Sequence, residues 1–187
     1  RHDKCINIKP TRERNNIDIV PALQYRNYTQ DFYKNEENYI EGTFIKTDKG
    51  EEIINYPFKH LENSYIKHDK TYRRYRKLVR IMKYLMYDMQ KENIAEAKNV
   101  SSFKVESLLF NVNNMYYITN SNMKLGEHFQ EILNILWQML LSDTNNRWVE
   151  ANGIKPLFLN NLSLIDTEKQ KYVSFISKLK YYFRYFG

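Results

Sequence analysis

Asp18 is a candidate for chemistry because its carboxylate stands between two β-branched residues, Ile17 and Ile19. In an antiparallel strand with one face in water, an aspartate at this position is an ordinary outward residue. The alternative is a carboxylate that projects from a central sheet and binds Mg²⁺, which prefers oxygen ligands. Because one aspartate does not make a two-metal site, Asp18 would be one ligand of a larger centre.

Basic residues lie on one side of the segment 73–83, whose sequence has helical periodicity. When each residue is turned by about 100°, the basic side chains fall opposite the apolar ones. Such a face is either solvated or a surface for phosphates, and no carboxylate interrupts it to form i,i+4 pairs. Lys83 lies where the basic side meets the apolar side, so packing would hold its ammonium as a phosphate ligand requires. The basic set is Arg73, Arg76, Lys77, Arg80 and Lys83.

The segment Ser101-Ser102-Phe103 stands at a predicted helix start, where unpaired backbone N–H groups and the helix dipole favour an anion. A serine hydroxyl at this place either caps the helix or contacts a phosphate. Phe103 either anchors the core or stacks on a base. The segment is therefore a second candidate phosphate contact.

The elements that must position these residues begin with strands. Residues 4–10 alternate polar and apolar side chains, and a β-branched run follows at 17–23. Segments 43–47 and 52–56 have the composition of a hairpin, with residues 48–50 as its turn. The first third of the chain is therefore predicted to be rich in strands.

Four helices are predicted after residue 68, each with one apolar face. The first has Asp69 as its N-cap, the second starts near Ser101 or Ser102, the third runs from about Glu127 to Leu141, and the fourth follows a capping box at Ser163 and Asp166. Their apolar faces are Tyr75, Leu78, Val79, Met82, Leu85, Met86 and Met89; Val105, Leu108, Leu109 and Val112; Phe129, Ile132, Leu133, Leu136, Trp137 and Leu140; and Tyr172, Phe175, Ile176, Leu179, Tyr182, Phe183 and Phe186.

Composition limits the class of protein. The 187 residues are 42% hydrophobic and 15% aromatic, which suffices for a core and excludes wholesale disorder. A single cysteine, Cys5, cannot form an internal disulfide, so we expect a reducing compartment and a cytoplasmic protein. The longest apolar run, residues 132–141, is too short to span a bilayer, so we expect a soluble protein without a membrane partner.

The order of these features resembles that of polymerase-β-like nucleotidyltransferases. Residues 17–22 resemble the strand that carries the third catalytic carboxylate of that superfamily. Residues 80–85 and 101–109 resemble the helical lobe of the cyclic GMP-AMP synthase and oligoadenylate synthetase group, which includes bacterial dinucleotide-cyclase-like enzymes. Shorter likenesses to the linking segment of bacterial members are Glu41-Gly42, Ile54-Asn55-Tyr56-Pro57, His60, Asn63, Lys67 and Thr71.

The resemblance implies roles for four of the candidate residues. Asp18 would be the third metal-binding carboxylate, for Mg²⁺ or Mn²⁺. Lys83 and Ser102 would contact nucleotide phosphates, and Phe103 would stack on the donor base. The implied reaction is attack of a ribose hydroxyl on the α-phosphate of an NTP substrate. The product would be a cyclic or linear oligonucleotide, for example a second messenger in antiphage defence.

Two motifs of that family precede its third carboxylate, namely a Gly-Ser turn and an acidic pair. The 17 residues before Asp18 contain neither motif. We therefore expect the C-terminal portion of a nucleotidyltransferase, of α+β class, which is inactive by itself. Residues 1–68 would hold the last strands of the catalytic sheet, and residues 69–187 a helical lobe.

Two interpretations of other classes stay open. With 29 Lys plus Arg against 22 Asp plus Glu, the net charge is +7, which attracts polyanions. A non-catalytic helical module would use Arg73, Arg76 and Arg80 to hold RNA or another polyanion. The third interpretation is a basic amphipathic helix at residues 168–186 that contacts an anionic membrane.

Overall fold

The computed structural model describes residues 4–13, 15–28, 38–119, 121–142, 147–158 and 162–186, without the side chains of residues 162–167, 185 and 186. It divides into two compact units, residues 1–59 and 60–187, which are described separately. This division lies before the boundary at residue 68 that the sequence suggested.

The first unit contains two small antiparallel sheets. Strands β1 (Ile6–Ile8) and β2 (Ile17–Ile19) form one, and β3 (Leu23–Asn27), β4 (Ile40–Lys46) and β5 (Glu52–Asn55) form the other in the order β3-β4-β5. The predicted hairpin is confirmed, with residue 43 opposite 55 and residue 46 opposite 52. Strand β3 was not predicted, because its sequence after Leu23 is almost entirely polar.

The close pairing of β4 with its neighbours depends on Gly42. A Cβ atom at this position would lie 2.8 Å from the carbonyl oxygen of Asn55 and 3.0 Å from the ring of Tyr56. Only glycine lets β4 lie this close to the end of β5. In the turn that follows β4, Gly50 has φ of +84°, a conformation that side chains rarely adopt.

The second unit is helical, which confirms the predicted α+β class. Its elements are the continuation of α1 (Pro57–Lys70), then α2 (Tyr75–Lys91), a 3₁₀ turn (Ala95–Ala97), α3 (Ser102–Asn111), α4 (Asn114–Thr119), α5 (Leu125–Ser142) and α6 (Leu162–Phe186). Sequence analysis missed α1 because its buried residues are Ser64 and Lys67 rather than an apolar series. Within the described residues, no helix is long and apolar enough to cross a membrane.

Two predicted helix starts are wrong. Asp69 lies inside α1 and does not cap α2, which begins at Tyr75 after two residues with positive φ, Tyr72 at 48° and Arg73 at 61°. Helix α6 begins at Leu162, so Ser163 lies within the helix instead of preceding it. The capping contacts predicted for side chains 163–166 lie outside the described residues.

One core joins the helices, and the predicted apolar faces supply it. Every predicted apolar residue of α2 is buried, as are those of α3 and the residue after it, Val112. In α5 and α6 the predicted residues are buried except Trp137 and Phe183, which are partly buried, and Phe186, whose side chain is not described. Because the apolar face of α6 packs into this core, it is not free to lie on a membrane.

Candidate functional site

Lys83 of α2 faces Glu106 of α3. Its Nζ lies 2.5 Å from Oε2 of the carboxylate, and the two side chains are 28% and 16% exposed. Lys83 is thus half-buried and held in place, which agrees with its position between the basic and apolar sides of α2. Sequence analysis missed the carboxylate partner, because Glu106 lies on a different helix and 23 residues away.

Glu106 of α3 is contacted by polar side chains from two other helices, α1 and α2. Besides the bond from Lys83, its Oε1 atom accepts one from Oγ of Ser64 at 3.2 Å and faces Nε2 of His60 at 3.3 Å. Burial opposes ionisation of this carboxyl, but the bonds from His60 and Lys83 outweigh it and lower the pKa of Glu106 to about 2. Glu106 is therefore ionised at neutral pH, and its charge is compensated inside the protein.

The imidazole of His60 stacks on the ring of Phe103. The ring centroids are 5.2 Å apart, and the planes differ by 29°. Phe103 remains 41% exposed, so the ring does not anchor the core as one interpretation held. The buried Nδ1 atom of His60 has no hydrogen-bond partner in the part of the chain that the structure describes. Phe103 is thus supported by His60 and open to solvent.

The N-terminus of α3 has no side-chain cap. Ser101 occupies the N-cap position with φ −89° and ψ 132°, and its hydroxyl makes no capping hydrogen bond. The capping interpretation is therefore wrong for Ser101. The first N–H groups of α3 keep the positive end of the helix dipole, which attracts an anion, next to half-buried Ser102.

Three predicted nucleotide contacts thus share one neighbourhood. Glu106 lies one helical turn after Ser102 and binds Lys83, while His60 connects Glu106 to Phe103. An ammonium, a helix start and an exposed aromatic ring are the groups that recognise the phosphates and base of a nucleotide. We define these residues, Lys83, Ser102, Phe103, Glu106 and His60, as the α2–α3 site.

The predicted basic face is only partly helical. Arg76 and Arg80 lie on α2, but Arg73 lies in the turn before it, so the prediction that Arg73 shares the helix face is wrong. The guanidinium of Arg76 lies 4.2 Å from the ring centroid of Tyr65. Burial, followed by the positive charges of Arg76 and Arg73, lowers the pKa of His68. The two arginines therefore lie close enough to His68 to disfavour its charged form.

Lys67 is a buried lysine, which sequence analysis noted only as part of the resemblance. Its ammonium donates to the carbonyl oxygen of Val112 and to Oδ1 of Asn114, both at 2.7 Å. Three rings surround it at 5.1 to 5.7 Å, those of Tyr117, Phe110 and Tyr75. No pattern in the sequence identifies this position, because the ring and carbonyl groups come from three other helices or their ends.

Asp18 lies in the first unit and is exposed. It stands opposite Asn7 in the β1–β2 pair, and Nδ2 of Asn7 donates to its Oδ1 at 2.7 Å. Among the described residues, no group of three or more His, Cys, Asp or Glu side chains could hold a metal ion. Asp18 is an oxygen ligand of the kind that Mg²⁺ prefers, but the described residues do not form a magnesium site by themselves.

Comparisons with known proteins show the family of the chain. The family model for the cGAS/DncV-like nucleotidyltransferase C-terminal helical domain matches residues 62–184. The cyclic GMP-AMP synthase CdnE03 of Staphylococcus schleiferi is 36% identical over 189 residues, which cover 100% of this chain and 55% of that protein. The cyclic nucleotide synthase CdnE01 of Staphylococcus haemolyticus is 38% identical over 155 residues, 81% of this chain and 49% of that protein.

A solved structure shows the same fold. The CdnE cyclic dinucleotide synthase of Elizabethkingia meningoseptica, determined with GTP and Apcpp, superposes with a TM-score of 0.81 at 25% identity, over 99% of this chain and 64% of that one. The chain spans about half the length of the curated relatives it matches. The resemblance to the helical lobe is confirmed, and this chain belongs to the cGAS/DncV-like nucleotidyltransferase family.

Proposed function

We propose that this chain is the C-terminal portion of a nucleotidyltransferase that joins NTPs through phosphodiester bonds into a cyclic oligonucleotide. The observation that carries the proposal is the α2–α3 site in a chain of this family. In this site Lys83 contacts Glu106, Glu106 contacts His60, and His60 stacks on Phe103. The S. schleiferi relative, a cyclic GMP-AMP synthase that matches this chain along its whole length, supports it. Antiphage signalling and a cytoplasmic location stay predictions.

The three predicted nucleotide contacts of the α2–α3 site have distinct tasks in this proposal. The Lys83 ammonium donates to phosphate oxygens and compensates their charge. Ser102 and the first N–H groups of α3 hold a phosphate at the positive end of the helix dipole. Phe103 stacks its exposed face on the base, while Arg76 and Arg80 add long-range attraction for the triphosphate.

Asp18 supplies one carboxylate ligand for Mg²⁺ or Mn²⁺ in the whole protein. When bound, the ion would stabilise the negative charge that develops on the transferred phosphate and the leaving pyrophosphate. Because the described residues do not form a metal site by themselves, we propose that the chain alone does not catalyse the reaction.

The test uses the full-length protein with four labelled NTPs and Mg²⁺, followed by phosphatase. A cyclic product has no terminal phosphate and is unchanged by the enzyme, whereas a linear product loses its terminal phosphates and migrates differently after the treatment. Lys83→Ala and Phe103→Ala should each reduce product formation by about tenfold or more, since each removes a direct nucleotide contact. Lys91→Ala, at the exposed end of the same helix, is the matched control and should keep normal activity. Absence of resistant product with every NTP combination would contradict the proposal.

A second candidate function rests on the exposed cations. Arg73, Lys77 and Arg80 are exposed and have no ion-pair partner among the described residues. A surface of unpaired cations binds nucleic acid through counterion release, without any nucleotide pocket. RNA binding that falls steeply with salt, in the absence of synthase activity, would favour this function.

A further inference from the structure

We propose that Glu106 is a positioning residue of the α2–α3 site. In this proposal it holds the Lys83 ammonium in place for a phosphate and, through His60, holds the Phe103 ring in place for a base. The inference rests on the proposed function, which supplies the roles of Lys83 and Phe103. It adds a residue to which neither the sequence motifs nor the similarity to known proteins assigns a role.

The first step concerns the donors of Lys83. An ammonium has three N–H donors, and one is used in the 2.5 Å bond to Oε2 of Glu106. In the described part of the chain, Nζ has no other hydrogen-bond partner, so two donors remain for a ligand. The side chain is 28% exposed, so a phosphate can reach it. Glu106 thus orders a flexible lysine before the ligand arrives, which lowers the entropic cost of binding.

The second step concerns charge. A carboxylate next to a phosphate site repels the ligand unless its charge is compensated. Glu106 is only 16% exposed, and Ser64, His60 and Lys83 all contact its oxygen atoms. The carboxylate therefore faces the interior of the network, and the groups that remain open toward solvent are the ammonium and the ring of Phe103.

The third step concerns the aromatic ring. His60 contacts Glu106 through Nε2 and stacks on Phe103 through its ring face. Because Glu106 contacts the Nε2 atom of His60, it fixes the orientation of the imidazole plane on which Phe103 stacks. The same carboxylate therefore sets the position of the phosphate ligand and of the base platform.

The chain offers a matched control for an interhelical ion pair on α3. Lys104 of α3 pairs with Glu168 of α6, and the two side chains are 24% and 28% exposed. The Lys104 ammonium lies near the rings of Phe158 and Tyr172, and neither ring belongs to the α2–α3 site. Glu168→Gln thus removes a comparable ion pair without touching the α2–α3 site.

The experiment is a double-mutant cycle in the full-length protein. Calorimetric titration with the α,β-methylene analogues of the four NTPs measures affinity, and thermal unfolding measures stability. Glu106→Gln should weaken the tightest analogue about tenfold, the size of one lost charge-assisted hydrogen bond. In a Lys83→Ala background the loss should be clearly smaller, because only the effect through His60 and Phe103 remains. Glu106→Asp should restore part of the affinity, and Glu168→Gln should leave it unchanged within about twofold.

Inorganic tripolyphosphate separates the two parts of the proposal, because it has no base. Glu106→Gln should weaken tripolyphosphate as well as the nucleotide, whereas His60→Ala should weaken only the nucleotide. Equal weakening of both ligands by His60→Ala would overturn the part that concerns Phe103.

Two results would overturn the role of Glu106 toward Lys83. One is an equal loss of affinity from Glu106→Gln in the wild-type and Lys83→Ala backgrounds, which marks a structural role only. The other is unchanged or tighter binding, which marks a carboxylate that merely neutralises the lysine. If the proposed function is wrong, the result differs, since Lys83→Ala itself then leaves nucleotide affinity unchanged and this inference is overturned with it.

Discussion

The ammonium of Lys67 donates to the carbonyl oxygen of Val112, the C-cap residue of α3, at 2.7 Å. This bond satisfies a carbonyl group at the helix terminus that has no partner within the helix. Burial lowers the pKa of Lys67 from 10.5 to about 8. Lys67 therefore supplies a hydrogen bond to the C-terminal end of α3, and burying its charge is energetically unfavourable.

This lysine predicts a pH dependence of stability. Between pH 8 and 10.5 the unfolded chain holds more protons at Lys67 than the folded chain does. The free energy of unfolding should therefore rise with pH across this window, by up to about 3 kcal/mol relative to Lys67→Met. Urea unfolding at several pH values measures the difference between the two proteins. The titration of the tyrosines contributes equally to both and therefore cancels in this difference. Parallel stability curves for the two proteins would contradict the prediction.

The 187-residue chain alone should form no phosphodiester bonds. Asp18 is the one predicted metal-binding carboxylate, and the described residues hold no group of three or more metal-binding side chains. Incubation with labelled NTPs and Mg²⁺ or Mn²⁺ measures this directly. Robust product from the isolated chain would overturn the role assigned to Asp18.

Asp18→Asn in the full-length protein should abolish product formation and leave the melting temperature nearly unchanged. The substitution removes a charge that binds metal, while the side chain keeps its size and its exposed position in β2. Asn7→Ala is the matched control, because it removes the hydrogen bond to Asp18 and keeps the carboxylate. Normal turnover of Asp18→Asn would make this residue an ordinary outward residue of the strand.

Lys83→Ala should weaken NTP binding more than Arg73→Ala does. Lys83 is fixed by Glu106, whereas Arg73 is an exposed residue of a turn. A fixed contact in a site acts individually, while exposed cations act through their sum. RNA binding at two salt concentrations, measured beside the NTP titration, should therefore fall about equally for the two variants. Unchanged NTP affinity in Lys83→Ala, with RNA binding steeply dependent on salt, would favour the polyanion-binding module.

Two glycine substitutions should have opposite effects on stability. In Gly42→Ala the new methyl group would lie 2.8 Å from the carbonyl oxygen of Asn55, so we expect a loss of about 1 to 3 kcal/mol. Gly126 is the second residue of α5, and in Gly126→Ala the methyl group would meet the Phe183 ring of α6 at 3.5 Å, an ordinary van der Waals contact. This change should stabilise the protein by about 0.5 to 1 kcal/mol. Chemical unfolding of both variants tests the pair.

The fold was predictable wherever apolar residues recur at a regular spacing. All seven predicted residues of α2 are buried, because apolar side chains at helical spacing form one face that packs into the core. Helix α1 escaped prediction because polar residues, Ser64 and Lys67, make its buried contacts. The spacing of apolar residues does not predict a helix whose buried residues are polar.

The site was predictable only in part. Lys83, Ser102 and Phe103 came from local patterns and the resemblance, and the structure brings them into one neighbourhood. Glu106 was missed because its partners come from α1 and α2, and the sequence does not show which helices pack together. Arg73 was assigned to the helix wrongly because it has a positive φ in the turn before α2. Positive φ is usually indicated by a glycine, and this turn contains none.

The phenol of Tyr182 donates to Oδ2 of Asp88 at 2.6 Å and ties α6 to α2 across 94 residues of chain. Contacts this distant in sequence form slowly, because a long loop must close first. During synthesis from the N-terminus, α2 and α3 can pair early, but part of the apolar side of α2 waits for α6 to be made. Until α6 packs against it, that apolar side is exposed and can associate with other incompletely folded chains. Aggregation during expression should therefore depend on how fast α6 is synthesised and folds.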